Sequence, residues 1–191
     1  MAVLLTILLS LSLVSCAPWP REKAVNPDPN HTHADFAIWV NGKKLSFASE
    51  AYMSTEDKHR HKYFHLHDGL GHVIHRHKPG LTLGEFFASI GFTLTADCMK
   101  TDAGQKVCTG SEGKLQMFVN GKEMPLDPAY VFADTDKILL TYGATLEQIG
   151  QQLKAMTNDA CLYSRTCPER GEPPAENCIA DPSVPCVAPL D

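Results

Sequence analysis

The chain has 191 residues, 43% of them hydrophobic, with 17 Lys and Arg against 22 Asp and Glu for a formal charge of −5. That length and hydrophobic content suffice for one domain with a sizeable core and an appendage. The mild negative charge argues against wholesale nucleic-acid binding, and the short basic run Lys58-His59-Arg60-His61-Lys62 reads as a solvated loop.

The N-terminus, MAVLLTILLSLSLVSCAP, is apolar and uncharged up to Arg21 but soon meets Pro18 and Pro20. It is too short for a membrane span and reads as an export signal over residues 1–15. Leu13-Val14-Ser15-Cys16 resembles the bacterial lipobox, although no Lys or Arg precedes the apolar run. The resemblance implies a lipid on Cys16 and a membrane-anchored protein at the cell surface or in the periplasm, with plain secretion as the alternative. Residues 16–30 contain four prolines and suit a tether.

Seven cysteines become six once Cys16 is assigned to the lipid or lost with the signal. Six suits disulfides in an oxidising compartment. Cys98 and Cys108 flank the stretch MKTDAGQKV and pair across it; Cys161, Cys167, Cys178 and Cys186 leave three pairings open. No CxxC motif occurs, which argues against a thioredoxin-type redox site.

Residues 31–157 form the expected domain. Phe36, Ile38 and Val40 alternate with His33, Asp35, Ala37 and Trp39 as in a strand. Asn41-Gly42 is a type I′ hairpin signal, and Lys43 to Ala48 should return. The same Val-Asn-Gly-Lys sequence recurs in FVNGKEM at 118–124, which shared turn chemistry explains. Two capping boxes, Thr82-Leu-Gly-Glu85 and Thr145-Leu-Glu-Gln148, each open a helix. The first presents Leu83, Phe86, Phe87 and Ile90 before Gly91, and the second Ile149, Leu153 and Met156. Residues 158–191 are Cys- and Pro-rich without periodicity and read as a disulfide-shaped tail.

From residue 63 the order is hairpin, helix LTLGEFFASIGF, strand LQMFVNGK and strand DKILLTYG. This succession resembles the β-grasp fold of ubiquitin-like and sulfur-carrier proteins, with an Asp-rich turn before the last apolar strand. The resemblance implies an α+β domain: a mixed sheet, one main packed helix and an extra N-terminal β-hairpin. The carriers' Gly-Gly tail is missing, so no activity follows. The His-rich hairpin and Cys-rich end also resemble secreted proteins of an uncharacterised family.

Five of the nine histidines fall in HLHDGLGHVIHRH, residues 65–77. A three-residue loop, Gly69-Leu70-Gly71, with Gly71 left-handed in a G1 bulge, sets 67 opposite 73, 65 opposite 75 and 63 opposite 77. His65, His67, His75 and His77 then share one face, while Phe64, Leu66 and Ile74 share the other. Cross-strand neighbours lie about 5 Å apart and i,i+2 neighbours about 7 Å, so imidazoles can converge on an ion. If the first strand packs alongside, His31 and His33 complete a set of six.

Neutral imidazole suits Zn²⁺ or Cu²⁺. The expected function is therefore an extracytoplasmic metal-binding protein that captures or delivers Zn or Cu through His31, His33, His65, His67, His75 and His77. His72, His59 and His61 read as bystanders, and Asp68 as a turn residue or an outer acceptor. No separate acid/base constellation is evident, since Glu85 and Asp97 have ordinary helix-cap and loop roles. The alternatives are a hydrolase or hydratase built on a His-ligated Zn, and a non-catalytic interaction module with a pH-responsive His face. The expected partners are the metal ion, the membrane through the lipid, and a protein strand at a sheet edge; no nucleic acid is expected.

Overall fold

The computed structural model describes residues 24–55, 60–66 and 68–173. The expected signal segment, Cys16, His59, His67, Cys178 and Cys186 lie outside these residues. In chain order the elements are β1 (Thr32–Val40), β2 (Lys43–Lys44), β3 (Phe64–His65), β4 (Val73–Arg76), α1 (Leu83–Ser89), β5 (Thr93–Leu94), β6 (Cys98–Lys100), β7 (Lys106–Cys108), β8 (Leu115–Val119), β9 (Lys122–Met124), β10 (Asp136–Tyr142), α2 (Leu146–Lys154), α3 (Ala160–Tyr163) and a 3₁₀ turn at Pro168–Arg170. The fold is α+β, as expected. None of the described helices is long and apolar enough to cross a membrane.

The main sheet is mixed and has seven strands, running β3-β4-β1-β10-β8-β9, with β2 also on β1. β1 and β10 are parallel, and the remaining pairs of this sheet are antiparallel. β5, β6 and β7 form a separate three-stranded sheet. Cys98 and Cys108 stand directly opposite one another in β6 and β7 and are disulfide-bonded, as the spacing predicts.

β1 is apolar on one side and mixed on the other, and both sides are buried. Phe36, Ile38 and Val40 enter the main core with Phe64, Leu66, Ile74 and the α1 residues Leu83, Phe86 and Phe87. Thr82 caps α1 through the predicted reciprocal box with Glu85. A Schellman motif ends it: Gly91 N–H donates to the Ala88 carbonyl and Phe92 N–H to the Phe87 carbonyl, with Gly91 at φ 84°. On the opposite side, α2 packs Ile149 and Leu153, with Met156 just after it, against Ala37, Phe118 and Leu139.

Both Asn-Gly turns are left-handed at each residue, with φ of 50° and 77° at Asn41 and Gly42 and 52° and 80° at Asn120 and Gly121. That is the type I′ signature.

Two expectations change. The N-terminal hairpin forms, β1 with β2, but it is no appendage: β1 is central and parallel to β10, with neighbours at both edges. One edge of β1 is divided, with β4 along Thr32 to Asp35 and β2 along Trp39 and Val40; after Leu45, whose N–H still donates to the Ile38 carbonyl, the chain leaves the sheet and Phe47 enters the core. In the His-rich hairpin, Asp68 and Gly69 rather than Gly71 take left-handed φ, at 54° and 71°. Gly71 is needed for a different reason: a Cβ there would lie 2.2 Å from the Phe47 carbonyl carbon, where the two divided segments meet. Beyond residue 157, α3 packs its Ala160 and Tyr163 against Val73 of β4.

These two glycines give a ranked prediction. Gly69→Ala, with open space around its Cβ but a left-handed backbone, should cost about 1–2 kcal/mol. Gly71→Ala must push backbone apart and should cost about 3 kcal/mol or more. Urea midpoints at constant slope would measure both, and an equal or reversed order would refute the close-approach assignment.

Candidate metal centre

β3, β4 and β1 run side by side, and their register sets His65, His75 and His33 in one row: His65 pairs with His75, and His75 with His33. The predicted pairing of 65 with 75 holds. One step along, the Thr32–Arg76 pairing brings His31 beside His77, with ring centroids 4.1 Å apart and stacked. Five of the six expected ligands therefore converge. The sixth, His67, lies outside the described residues.

This face is covered instead of solvated. His31, His33, His65, His75 and His77 are 6, 0, 2, 0 and 3% exposed. His31, His33 and His75 each offer a ligand atom, all within 4.8 Å of one another. The Nε2 atoms of His31 and His33 are 3.1 Å apart, and so are those of His65 and His77. An ion about 2.0–2.1 Å from each ligand in tetrahedral geometry sets nitrogens about 3.3 Å apart. A buried histidine cluster that could hold a metal ion is thus present.

The cover comes from the tail. The Tyr163 ring lies 5.6 Å from His33 and 5.0 Å from His75, centroid to centroid. Ser164 Oγ donates to Asp134 Oδ1 at 2.5 Å and lies 2.8 Å from His33 Nδ1. A hydroxyl has one proton, so with that proton on Asp134 it accepts from His33 Nδ1–H. The tautomer this selects leaves the Nε2 lone pair facing His31 and a prospective ion. Asp134 also accepts the His33 backbone N–H at 3.0 Å, fixing β1 at the same point.

Asp35 holds the cover down. Its buried carboxylate accepts from Thr157 Oγ1 and from the backbone N–H groups of Asp159 and Ala160 at the start of α3. Asp159 pairs with His72 at 2.9 Å and with Arg170 at 2.8 Å. Burial pushes the Asp159 carboxyl up, but its bonds from Arg170 and His72 outweigh this and hold it below its usual range. Cys161, within α3, is disulfide-bonded to Cys167 beyond it, resolving one pairing among the tail cysteines.

His72 therefore fastens the tail and stands outside the imidazole group. His61 is likewise structural: its Nδ1 accepts from the backbone N–H groups of Tyr63 and Phe64. Glu85 and Asp97 keep their cap and loop roles.

Sequence reasoning did not find Tyr163, Ser164 or Asp134. Asn158-Asp159 ahead of Ala-Cys-Leu-Tyr is a helix-start signal, but the capping carboxylate comes from Asp35, on a strand far away in the chain. Comparison with protein-family models, curated proteins and solved structures finds no match.

Asp35→Ala should remove three acceptor bonds, destabilise the fold by about 2–3 kcal/mol and release α3. Amide exchange at Ala160–Tyr163 should then accelerate far more than along β10. The depressed Asp159 carboxyl confers stability above the unfolded value that is lost as pH falls through the folded one. Acidification below about pH 4, the ordinary aspartate value, should therefore loosen α3 ahead of the core. Uniform exchange in Asp35→Ala would contradict the Asp35 latch, and uniform exchange on acidification the Asp159 latch.

Proposed function

We propose that this protein is an extracytoplasmic metal-binding module that captures or delivers Zn²⁺ or Cu²⁺ through its strand histidines. The observation that carries the reading is the buried triad His31, His33 and His75, with ligand atoms within 4.8 Å of one another. A neutral imidazole carries one nitrogen lone pair, and three of them grouped at this distance match the donor set of a histidine metal site.

Imidazole suits both Zn²⁺ and Cu²⁺. The described cysteines are paired, Cys98 with Cys108 and Cys161 with Cys167, which leaves histidine as the donor set and is consistent with an extracytoplasmic location. Export through residues 1–15 and a lipid on Cys16 complete the proposed placement. Burial of the five imidazoles favours an ion site over a pH-responsive exposed face.

The order β4-β1-β10-β8, with parallel strands at its centre and α1 on one face, supports reading the core as β-grasp. On that reading β2, β3 and the β5–β7 sheet are insertions.

Protein purified without a His tag should carry Zn or Cu by elemental analysis. His33→Ala and His75→Ala should each weaken binding by one to two orders of magnitude, about 1.4–2.8 kcal/mol, and His72→Ala, which removes the tail contact to Asp159, less than either. Ser164→Ala should weaken binding about 10-fold or more through the lost tautomer control. Affinity should fall with acidification, because a ligating imidazole must be deprotonated. Intact binding in both His33→Ala and His75→Ala would refute the proposal.

A further inference from the structure

The five buried imidazoles exceed what one ion of this class takes: Zn²⁺ in a histidine site is four-coordinate, with at most four protein ligands. They also fall into two groups. His31, His33 and His75 form one compact set. His65 and His77 form another, with their Nε2 atoms 3.1 Å apart, close to one edge of a coordination tetrahedron. The groups touch through the stacked rings of His31 and His77. They differ in support as well: Ser164 and Asp134 brace His33 in the first group from α3 and the β10 turn, whereas the second is carried by β3, an edge strand of two residues, and by the residue that follows β4.

We infer that the centre binds two ions, a firmly held one at His31, His33 and His75 and a more labile one at His65 and His77 whose remaining positions are filled by solvent or by a small ligand. This inference rests on the metal-binding reading above. Two protein ligands, one of them on a short edge strand, give weaker chelation and faster exchange than three around a braced His33. The second position is therefore the one that exchanges ions with the surroundings, while the first retains its ion.

The test uses the exported chain, stripped of metal and titrated with Cu²⁺ and separately with Zn²⁺, with bound metal measured after equilibrium dialysis. Two ions per chain are expected, with affinities at least tenfold apart. At two Cu²⁺ per chain the electron paramagnetic resonance spectrum should show dipolar broadening that is absent at one. His65→Ala with His77→Ala should lower the stoichiometry to one, keep the tight ion and abolish the broadening; His65→Gln with His77→Gln serves if the alanine pair fails to fold.

A single ion per chain in the wild type, or loss of the tight ion in the His65/His77 variant, overturns the two-ion assignment and leaves the metal-binding function standing. Binding of no ion by folded wild-type protein overturns both. The wild-type stoichiometry and spectrum decide the matter without any variant.

Discussion

The contact between the Asp35 carboxylate and the start of α3 determines what the rest of the histidine face can be. Asp35 sits on the central strand, two residues beyond His33, and takes hydrogen bonds from Thr157, Asp159 and Ala160. Without it, the polar side of β1 would face water and its imidazoles would be ordinary surface groups. With it, the chain after α2 folds back over the sheet, Tyr163 closes over His33 and His75, and Ser164 reaches His33. The side chain that fastens the cover stands on the same strand as His33, so one element positions both the cover and the cluster.

The same strand serves two layers with unlike chemistry. Toward α1 it contributes Phe36, Ile38 and Val40 to an apolar core; toward the tail it contributes His33 and Asp35. Strand alternation makes this division sharp, since a shift of one residue would put imidazoles into the core and phenylalanines against Ser164. β1 is locked in register on both sides, by β10 along Ala34 to Val40 and by β4 along Thr32 to Asp35. The side chains of the site inherit their positions from that double pairing.

Much of this was legible in the sequence, for identifiable reasons. Alternation at Phe36-Ile38-Val40 and in the hairpin placed His33, His65 and His75 on one side because period-2 burial leaves little freedom. Both capping boxes and both Asn-Gly turns were legible because their chemistry is local. The central position of β1 was not, because a parallel partner arrives from the far end of the domain and leaves no local mark. Gly71 was misassigned because its requirement comes from the backbone of Phe47, which no pattern near the hairpin reveals. The role of residues 158–164 was hidden for the same reason: Asp35 and Asp134, which engage them, lie elsewhere in the sequence.

The row His33–His75–His65 has a consequence for how the molecule matures. Its members come from three strands, and β1 acquires its second edge only when β10, the last strand made, docks beside it. Pairing between the ends of a domain forms late because a long loop must close first. A nascent chain therefore presents only scattered single imidazoles and His-x-His pairs. The compact histidine row is complete only in the final topology, so its geometry reports that the two ends of the domain have met.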